Sequence, residues 1–201
     1  MKSTTAGGGC VRNQLLQLCQ LPRGLEAAVQ GAIDARLRSY MPYSHFAVGA
    51  ALLHADGEIT TGCNYENCTY QSCCAERCAI VRANVEGHRT ARAIAIYGAP
   101  SLRPPTPADT ANSPSDNYSH STIPSTSALS GDAAEGFCMP CGLCRQLLVE
   151  VADLSGNHDS FEVVLVSRDR QHAKVMLLAE LIPYKFAPSD MGMDIAQFRD
   201  I

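Results

Sequence analysis

The chain has 201 residues, enough for one domain with a substantial core, and is 46% hydrophobic and 18% charged. Its formal net charge of −4 argues against a nucleic-acid partner, which a basic face would serve. No apolar run is long enough to span a membrane, and the mixed segment 14–18 is no secretory core, so a cytoplasmic protein is expected. Ten cysteines without a secretory signal point to reduced thiols and metal binding rather than to a disulfide framework.

Residues 1–22 show no periodicity and end at Pro22, so a flexible N-terminal tail is expected, followed by a single domain over 23–201. From Arg23 the apolar positions Leu25, Ala28, Val29, Ala32, Ile33 and Leu37 repeat with helical spacing, and Met41-Pro42 is the expected stop. Phe46 to Leu53 is an apolar run of strand length. Asp56-Gly57 is a turn signal, and Ile59 to Cys63 returns as the second strand of a hairpin. The polar segment Asn64-Tyr65-Glu66-Asn67 reads as a loop.

Helical spacing resumes after Cys74, with Ala75, Cys78, Ala79, Ile80, Ala83 and Val85, and stops near Gly87. Ala91 to Tyr97 has the composition of a buried strand. A further helix starts at Cys141 and carries Leu147, Leu148 and Val151. Phe161 to Ser167 is a strand, and Ala173 to Leu177 pairs back on it. Strands alternating with helices predict an α/β layered domain. One stretch breaks the rhythm. Residues 99–136 are rich in Pro, Ser, Thr, Ala and Asp, bury too little to offset their ordering entropy, and read as a disordered insertion.

Two motifs carry the chemistry. Cys74-Ala75-Glu76 places a thiol two residues before a carboxylate, and Pro140-Cys141-Gly142-Leu143-Cys144 supplies two more thiols at i, i+3 on a first helical turn. Both Cys74 and Cys141 stand where a loop enters a helix, where free N–H groups and the dipole favour thiolates. Three thiolates suit one zinc ion with its fourth position open, as a catalytic site requires. Glu76, on the same turn as Cys74, is placed to move protons without ligating. Three thiolates on Zn²⁺ leave a net −1, so a cation at the sulfurs is expected, from Arg77 or Arg145. Cys138, Cys73 and Cys78 leave open a closed four-cysteine structural zinc. Of the six histidines only His45 lies near these motifs, and structural hydrogen bonding is its expected job.

Cys-x-Glu followed by Pro-Cys-x-x-Cys resembles the signature of zinc deaminases acting on nucleobases. Further stretches narrow the resemblance to the cytidine deaminases of the small, homotetrameric, three-cysteine class: Pro42-Tyr43-Ser44-His45-Phe46-Ala47-Val48-Gly49-Ala50-Ala51-Leu52, Gly62-Cys63-Asn64-Tyr65-Glu66-Asn67, Cys74-Ala75-Glu76-Arg77 and Pro140-Cys141-Gly142-Leu143-Cys144-Arg145-Gln146. The resemblance covers Tyr40 to Tyr97 and Cys138 to about Asp190. It implies a three-layer α/β/α fold around a central mixed sheet of about five strands. It also implies one Zn²⁺ per subunit, held by Cys74, Cys141 and Cys144, with Glu76 as the catalytic residue and Arg77 tuning the thiolates.

By the same resemblance Phe46 stacks against the base, Asn64 and Glu66 hydrogen-bond the ribose, and Ala75 offers its backbone to the base. Phe186 is the aromatic that a neighbouring subunit inserts, so active sites would be shared in a homotetramer. The implied reaction is hydrolytic deamination of cytidine and deoxycytidine in pyrimidine salvage, on a small-molecule nucleoside, with no nucleic-acid or membrane partner. A deaminase of a nucleoside antibiotic or other cytosine derivative and a non-catalytic structural zinc module are the alternatives. The chain departs from the family in three places: the 99–136 insertion, a segment between Asn67 and Cys74 shorter by one residue, and Cys73 where a large aliphatic residue is common.

Overall fold

The computed structural model describes residues 15–69, 71–100 and 136–199. Chain order runs β1 (Leu15–Gln17), α1 (Arg23–Arg36), β2 (Phe46–Leu53), β3 (Ile59–Cys63), α2 (Ala75–Val85), β4 (Ala93–Pro100), α3 (Gly142–Ser155), β5 (Glu162–Val166), β6 (His172–Leu177) and α4 (Leu178–Leu181). The six strands form one sheet in the order β1-β6-β5-β4-β2-β3. Only the β4–β5 pair is parallel; every other pair is antiparallel. Among the described residues no helix is long and apolar enough to cross a membrane.

The period of two in the strands builds the layers. Ala51, Leu53, Ala93, Ala95, Val164 and Val166 face one side, where Ala28, Val29 and Ala32 of α1 cover them. Ala50, Leu52, Ile94, Ile96, Val163 and Leu165 face the other, under Ala75, Ala79 and Ala83 of α2 and Leu148, Val149 and Ala152 of α3. A sheet apolar on both faces needs a helix layer on each side, which gives three α/β/α layers.

Both helix layers sit on the sheet with backbone contact. A Cβ on Gly49 of β2 would lie 2.0 Å from the Ala32 carbonyl oxygen and 2.5 Å from the Arg36 nitrogen of α1. One on Gly62 of β3 would lie 2.3 Å from the Ala79 nitrogen and 2.6 Å from the Ala75 oxygen of α2. Arg36 locks α1 further, its guanidinium donating to the carbonyls of Ala47, Ala99 and Pro100.

Five expectations change. The sheet has six strands rather than five, because Leu15–Gln17 pairs antiparallel with β6. The segment 15–22 is therefore no tail: Leu16 and Leu18 pack on the α1-side core and Leu21 is buried, a pattern too short to show a period. Residues 1–14 lie outside the described residues. Helix α1 ends at Arg36, not at Pro42, as the N–H groups of Leu37, Arg38 and Ser39 turn to carbonyls three residues back. This leaves Leu37 exposed. Helix α2 buries Ala75, Glu76, Ala79 and Ala83 but exposes Val85, which lies two residues past Ala83, about 200° round the helix from the seated face. Of the 99–136 insertion, Ala99 and Pro100 belong to β4, and residues 101–135 lie outside the described residues.

Gly49→Ala drives a methyl into helix backbone that no rotamer change can clear, so a loss of about 3 kcal/mol in denaturant unfolding is expected. Gly31→Ala meets only side-chain atoms at 3.3 to 3.5 Å and gains helix propensity, so it is expected to shift stability by less than about 1 kcal/mol.

Candidate active site

Helices α2 and α3 lie on the same face of the sheet and point their N-termini at one place. Cys74 is the N-cap of α2 and Cys141 the N-cap of α3, both with extended backbone. Their carbonyls accept the first intrahelical bonds, from the N–H groups of Cys78 and Arg145, each at 3.0 Å. Cys144, one turn into α3, is fully buried. The segment that delivers Cys141 crosses the carboxyl ends of the parallel strands: Phe137 bridges Ser167, just after β5. Arg145 fixes this segment from below, donating from Nε to the Pro140 carbonyl at 2.9 Å and from Nη1 to the Leu181 carbonyl at 3.0 Å.

The three sulfurs form one cluster. Cys74 and Cys141 are 3.9 Å apart, Cys141 and Cys144 are 3.5 Å apart, and all three lie within 4.8 Å of one another. Zinc bonds of 2.3 Å at tetrahedral angles require sulfurs about 3.8 Å apart. The donor set and its spacing therefore fit zinc. Among the described residues this is the one group of three or more metal-ligating side chains; Cys73, Cys78 and Cys138 stay outside it. Among the described residues the four-cysteine alternative is not formed.

Electrostatics favour the same reading. Hydrogen bonding from the Cys144 thiol, helped by Cys141 and Arg77 and opposed by burial, lowers Cys74 to about 6. Cys144 is correspondingly pushed up. Arg77 keeps its charge because the thiols of Cys73, Cys74, Cys144 and Cys141 outweigh the effect of burial. One of its Nη atoms donates to the Ser72 carbonyl. Its buried Nε has no hydrogen-bond partner among the described residues. Arg145 is spent on carbonyls, so of the two expected cations Arg77 is the one at the thiols.

Glu76 is 4% exposed. Burial raises its pKa, and the Cys74 charge raises it further. Ala75, between Cys74 and Glu76, is fully buried. As the first residue of α2 it has no intrahelical acceptor for its N–H.

The polar loop after β3 is less exposed than its composition implies. Glu66 is 6% exposed, with Oε2 accepting from the N–H groups of Tyr43 at 2.9 Å and Ser44 at 3.2 Å. Burial works against its charge, but the Ser44 side chain and these N–H groups outweigh it and hold the pKa low. Asn64 accepts from Val48 N–H at 2.8 Å and donates to the Phe46 carbonyl at 2.9 Å, so it clamps the start of β2. One amide hydrogen and one lone pair remain. Tyr65 and Cys73 exchange both backbone bonds, which ties this loop to the residue before Cys74.

Phe46, half-buried, opens β2 on the α2/α3 face of the sheet. Phe186 lies after α4, 60% exposed, its carbonyl accepting from the Gln146 side chain of α3. The neighbouring Lys185 pairs with Asp153. His45 has a φ of 53° and donates its N–H to the Met41 carbonyl. The structure thus brings Cys74, Cys141, Cys144, Glu76, Ala75 and Arg77 together at two helix starts. Asn64, Glu66 and Phe46 form an adjoining wall joined through β2, and Phe186 stands apart at the surface. Sequence reasoning missed the roles of Arg145 as a clamp and of Gly62 as the seat of α2. A glycine inside a strand pattern was the available signal for the second. Two recesses, of about 280 and 220 Å³, lie around His54 and Arg92 at the opposite end of the sheet and share no residue with the cluster.

Comparison with known proteins agrees with this geometry. The family model described as "Cytidine and deoxycytidylate deaminase zinc-binding region" matches residues 23–154. The probable cytidine deaminase of Dictyostelium discoideum is 32% identical over 168 residues, 83% of this chain and 86% of that protein. The cytidine deaminase of Halalkalibacterium halodurans is 32% identical over 165 residues, 82% of this chain and 95% of that one. The crystal structure of cytidine deaminase from Burkholderia pseudomallei superposes with a TM-score of 0.56 at 31% identity, covering 80% of this chain and 97% of that chain. Fold, thiol cluster and sequence match together place this chain in the cytidine and deoxycytidylate deaminase family.

Proposed function

We propose that this protein is a zinc-dependent cytidine deaminase that hydrolyses cytidine and deoxycytidine to uridine and deoxyuridine with release of ammonia. The observation that carries the reading is the buried Glu76 carboxylate on the same helical turn as Cys74 of the three-sulfur cluster. Cys74, Cys141 and Cys144 would hold one Zn²⁺ per subunit, with Arg77 balancing the excess thiolate charge. Zinc, when bound, supplies a Lewis acid that makes water a nucleophile at neutral pH.

Glu76 manages the protons. It takes one from the attacking water as oxygen adds to C4 and delivers it to ring N3. It then carries the proton of the new hydroxyl to the amino group, the C4–N bond breaks, and ammonia leaves. The raised pKa of Glu76 suits this double task, since the same group must accept and donate. Phe46 would stack on the base, and the N–H of Ala75 would hydrogen-bond it. Asn64 and Glu66 would hold the ribose hydroxyls. A carboxylate at that position orients a sugar and repels a phosphate, so free nucleosides would be preferred over nucleotides.

The exposed Phe186 would complete the pocket of a neighbouring subunit, which makes the active species a homotetramer with shared sites. The exposed apolar side chains of Val81, Leu143 and Leu147 on α2 and α3 support burial of that face between subunits. The reading carries with it a place in pyrimidine salvage in the cytoplasm.

The direct test follows the fall in cytidine absorbance with zinc-loaded protein. Wild type is expected to convert cytidine, and Glu76→Gln to keep one zinc per chain while kcat falls about 10³-fold. Zinc retention with no conversion by wild type would return the chain to the antibiotic or structural-zinc alternatives. Cys141→Ala, at an exposed ligand position, is expected to lose zinc by atomic absorption while the far-UV spectrum of the fold persists. Phe186→Ala is expected to abolish most activity without changing zinc content. Sedimentation of wild type as a monomer would overturn the shared-site reading.

A further inference from the structure

Gly98 stands near the carboxyl end of β4, paired with Val48, on the strand face that carries Ile94 and Ile96 into the α2/α3 core. Gly98 does not have positive φ, so its extended backbone is one that any residue adopts. Space, not conformational freedom, is what a glycine supplies here. A Cβ at this position would lie 2.6 Å from Cys138 Sγ, 2.7 Å from Cys138 Cβ and 3.0 Å from Cε1 of the Phe46 ring. At Gly49 and Gly62 the close atoms are helix backbone; at Gly98 they are two side chains, and both belong to the site region.

Cys138 is half-buried and packs against the α2/α3-side core. It lies near enough to Glu76 for the carboxylate charge, after burial, to help raise its thiol to about 11. Its sulfur therefore stays a neutral, compact group, and it borders the same Gly98 position as the edge of the Phe46 ring. The ring itself has freedom on its open side, because Phe46 is the first residue of β2 and is only half-buried. Its inner edge borders the Gly98 position, where a methyl would meet both the ring and the Cys138 side chain.

We propose that Gly98 and Cys138 are a positioning pair for Phe46: the glycine opens the space, the thiol fills it, and together they fix the ring at a set distance from Glu76. This rests on the reading that Phe46 stacks against the base. A ring displaced from this place stacks less well on the base in the ground state and the transition state alike, so the loss falls on KM and little on kcat. Neither residue touches the reacting atoms; both act through Phe46.

The test is a kinetic double-mutant cycle on the zinc-loaded enzyme. Gly98→Ala is expected to keep one zinc per chain and raise KM for cytidine about tenfold, with kcat down less than about threefold. In a Phe46→Ala background the same substitution should change KM by less than about twofold, because the ring it displaces is gone. Adding Cys138→Gly to Gly98→Ala should bring KM back to within about threefold of wild type. Adding Cys138→Ala should not, since the Cys138 Cβ at 2.7 Å remains in the way.

A KM effect that persists in the Phe46→Ala background overturns the proposal. So does loss of zinc together with kcat, which would route the effect through Cys141 three residues on. If Phe46→Ala alone leaves KM unchanged, the stacking reading fails and takes this inference with it. If Phe46→Ala raises KM while Gly98→Ala does not, the positioning pair alone is wrong. Should Gly98→Ala not accumulate as folded protein, Cys138→Ala decides, since it only removes an atom. Loss of lateral support should raise KM about threefold, and an unchanged KM overturns the proposal.

Discussion

Three sulfurs from two helices meet at one point, and the fold is arranged to make them meet. Cys74 and Cys141 are 67 residues apart in sequence yet stand at helix starts that converge on one face of a sheet. That convergence depends on how closely the helices approach the sheet. Gly62 and the alanines of α2 let helix backbone rest on β3, while the larger Leu148 and Val149 of α3 fill the layer beside it. A few ångströms of extra separation would break the 3.5 and 3.9 Å sulfur spacings on which a tetrahedral ion depends. Packing at the base of the helices thus determines the chemistry at their tips.

The cluster concentrates negative charge, and its surroundings respond in graded ways. Hydrogen bonds from the Cys144 and Cys141 thiols, with Arg77, outweigh burial and stabilise thiolate at Cys74. The same negative charge, added to burial, makes ionisation harder for Glu76. One site therefore holds a thiol and a carboxyl whose pKa values are driven in opposite directions. The second buried carboxylate, Glu66, has the opposite environment. Backbone N–H groups and Ser44 keep it ionised, which suits holding a ligand and not moving a proton.

Much of this was legible in the sequence because it is local. Cysteine spacing and the residues around it mark both helix starts, and the continuous apolar runs of Phe46–Leu53 and Ala93–Tyr97 mark central strands with two covered faces. What escaped depends on partners distant in sequence. Leu15–Gln17 is a strand only because β6 offers it an edge. Leu37 follows a helix that unwinds where Arg36 reaches across to Ala99 and Pro100. Glu66 looked like a solvated loop residue until Tyr43 and Ser44 closed over it. Arg145, one of two expected cations for the sulfurs, turns instead to carbonyls. In each case local composition was correct and a contact between segments far apart in the chain decided the outcome.

The central claim is that three cysteines, and no fourth, hold a zinc ion beside a buried proton-carrying carboxylate. X-ray absorption at the zinc edge of the purified protein tests it without relying on turnover. The account predicts three sulfur scatterers at about 2.3 Å and one light atom completing the shell. Four sulfurs, with Cys138 or Cys73 drawn in, would mean a closed structural site and contradict it.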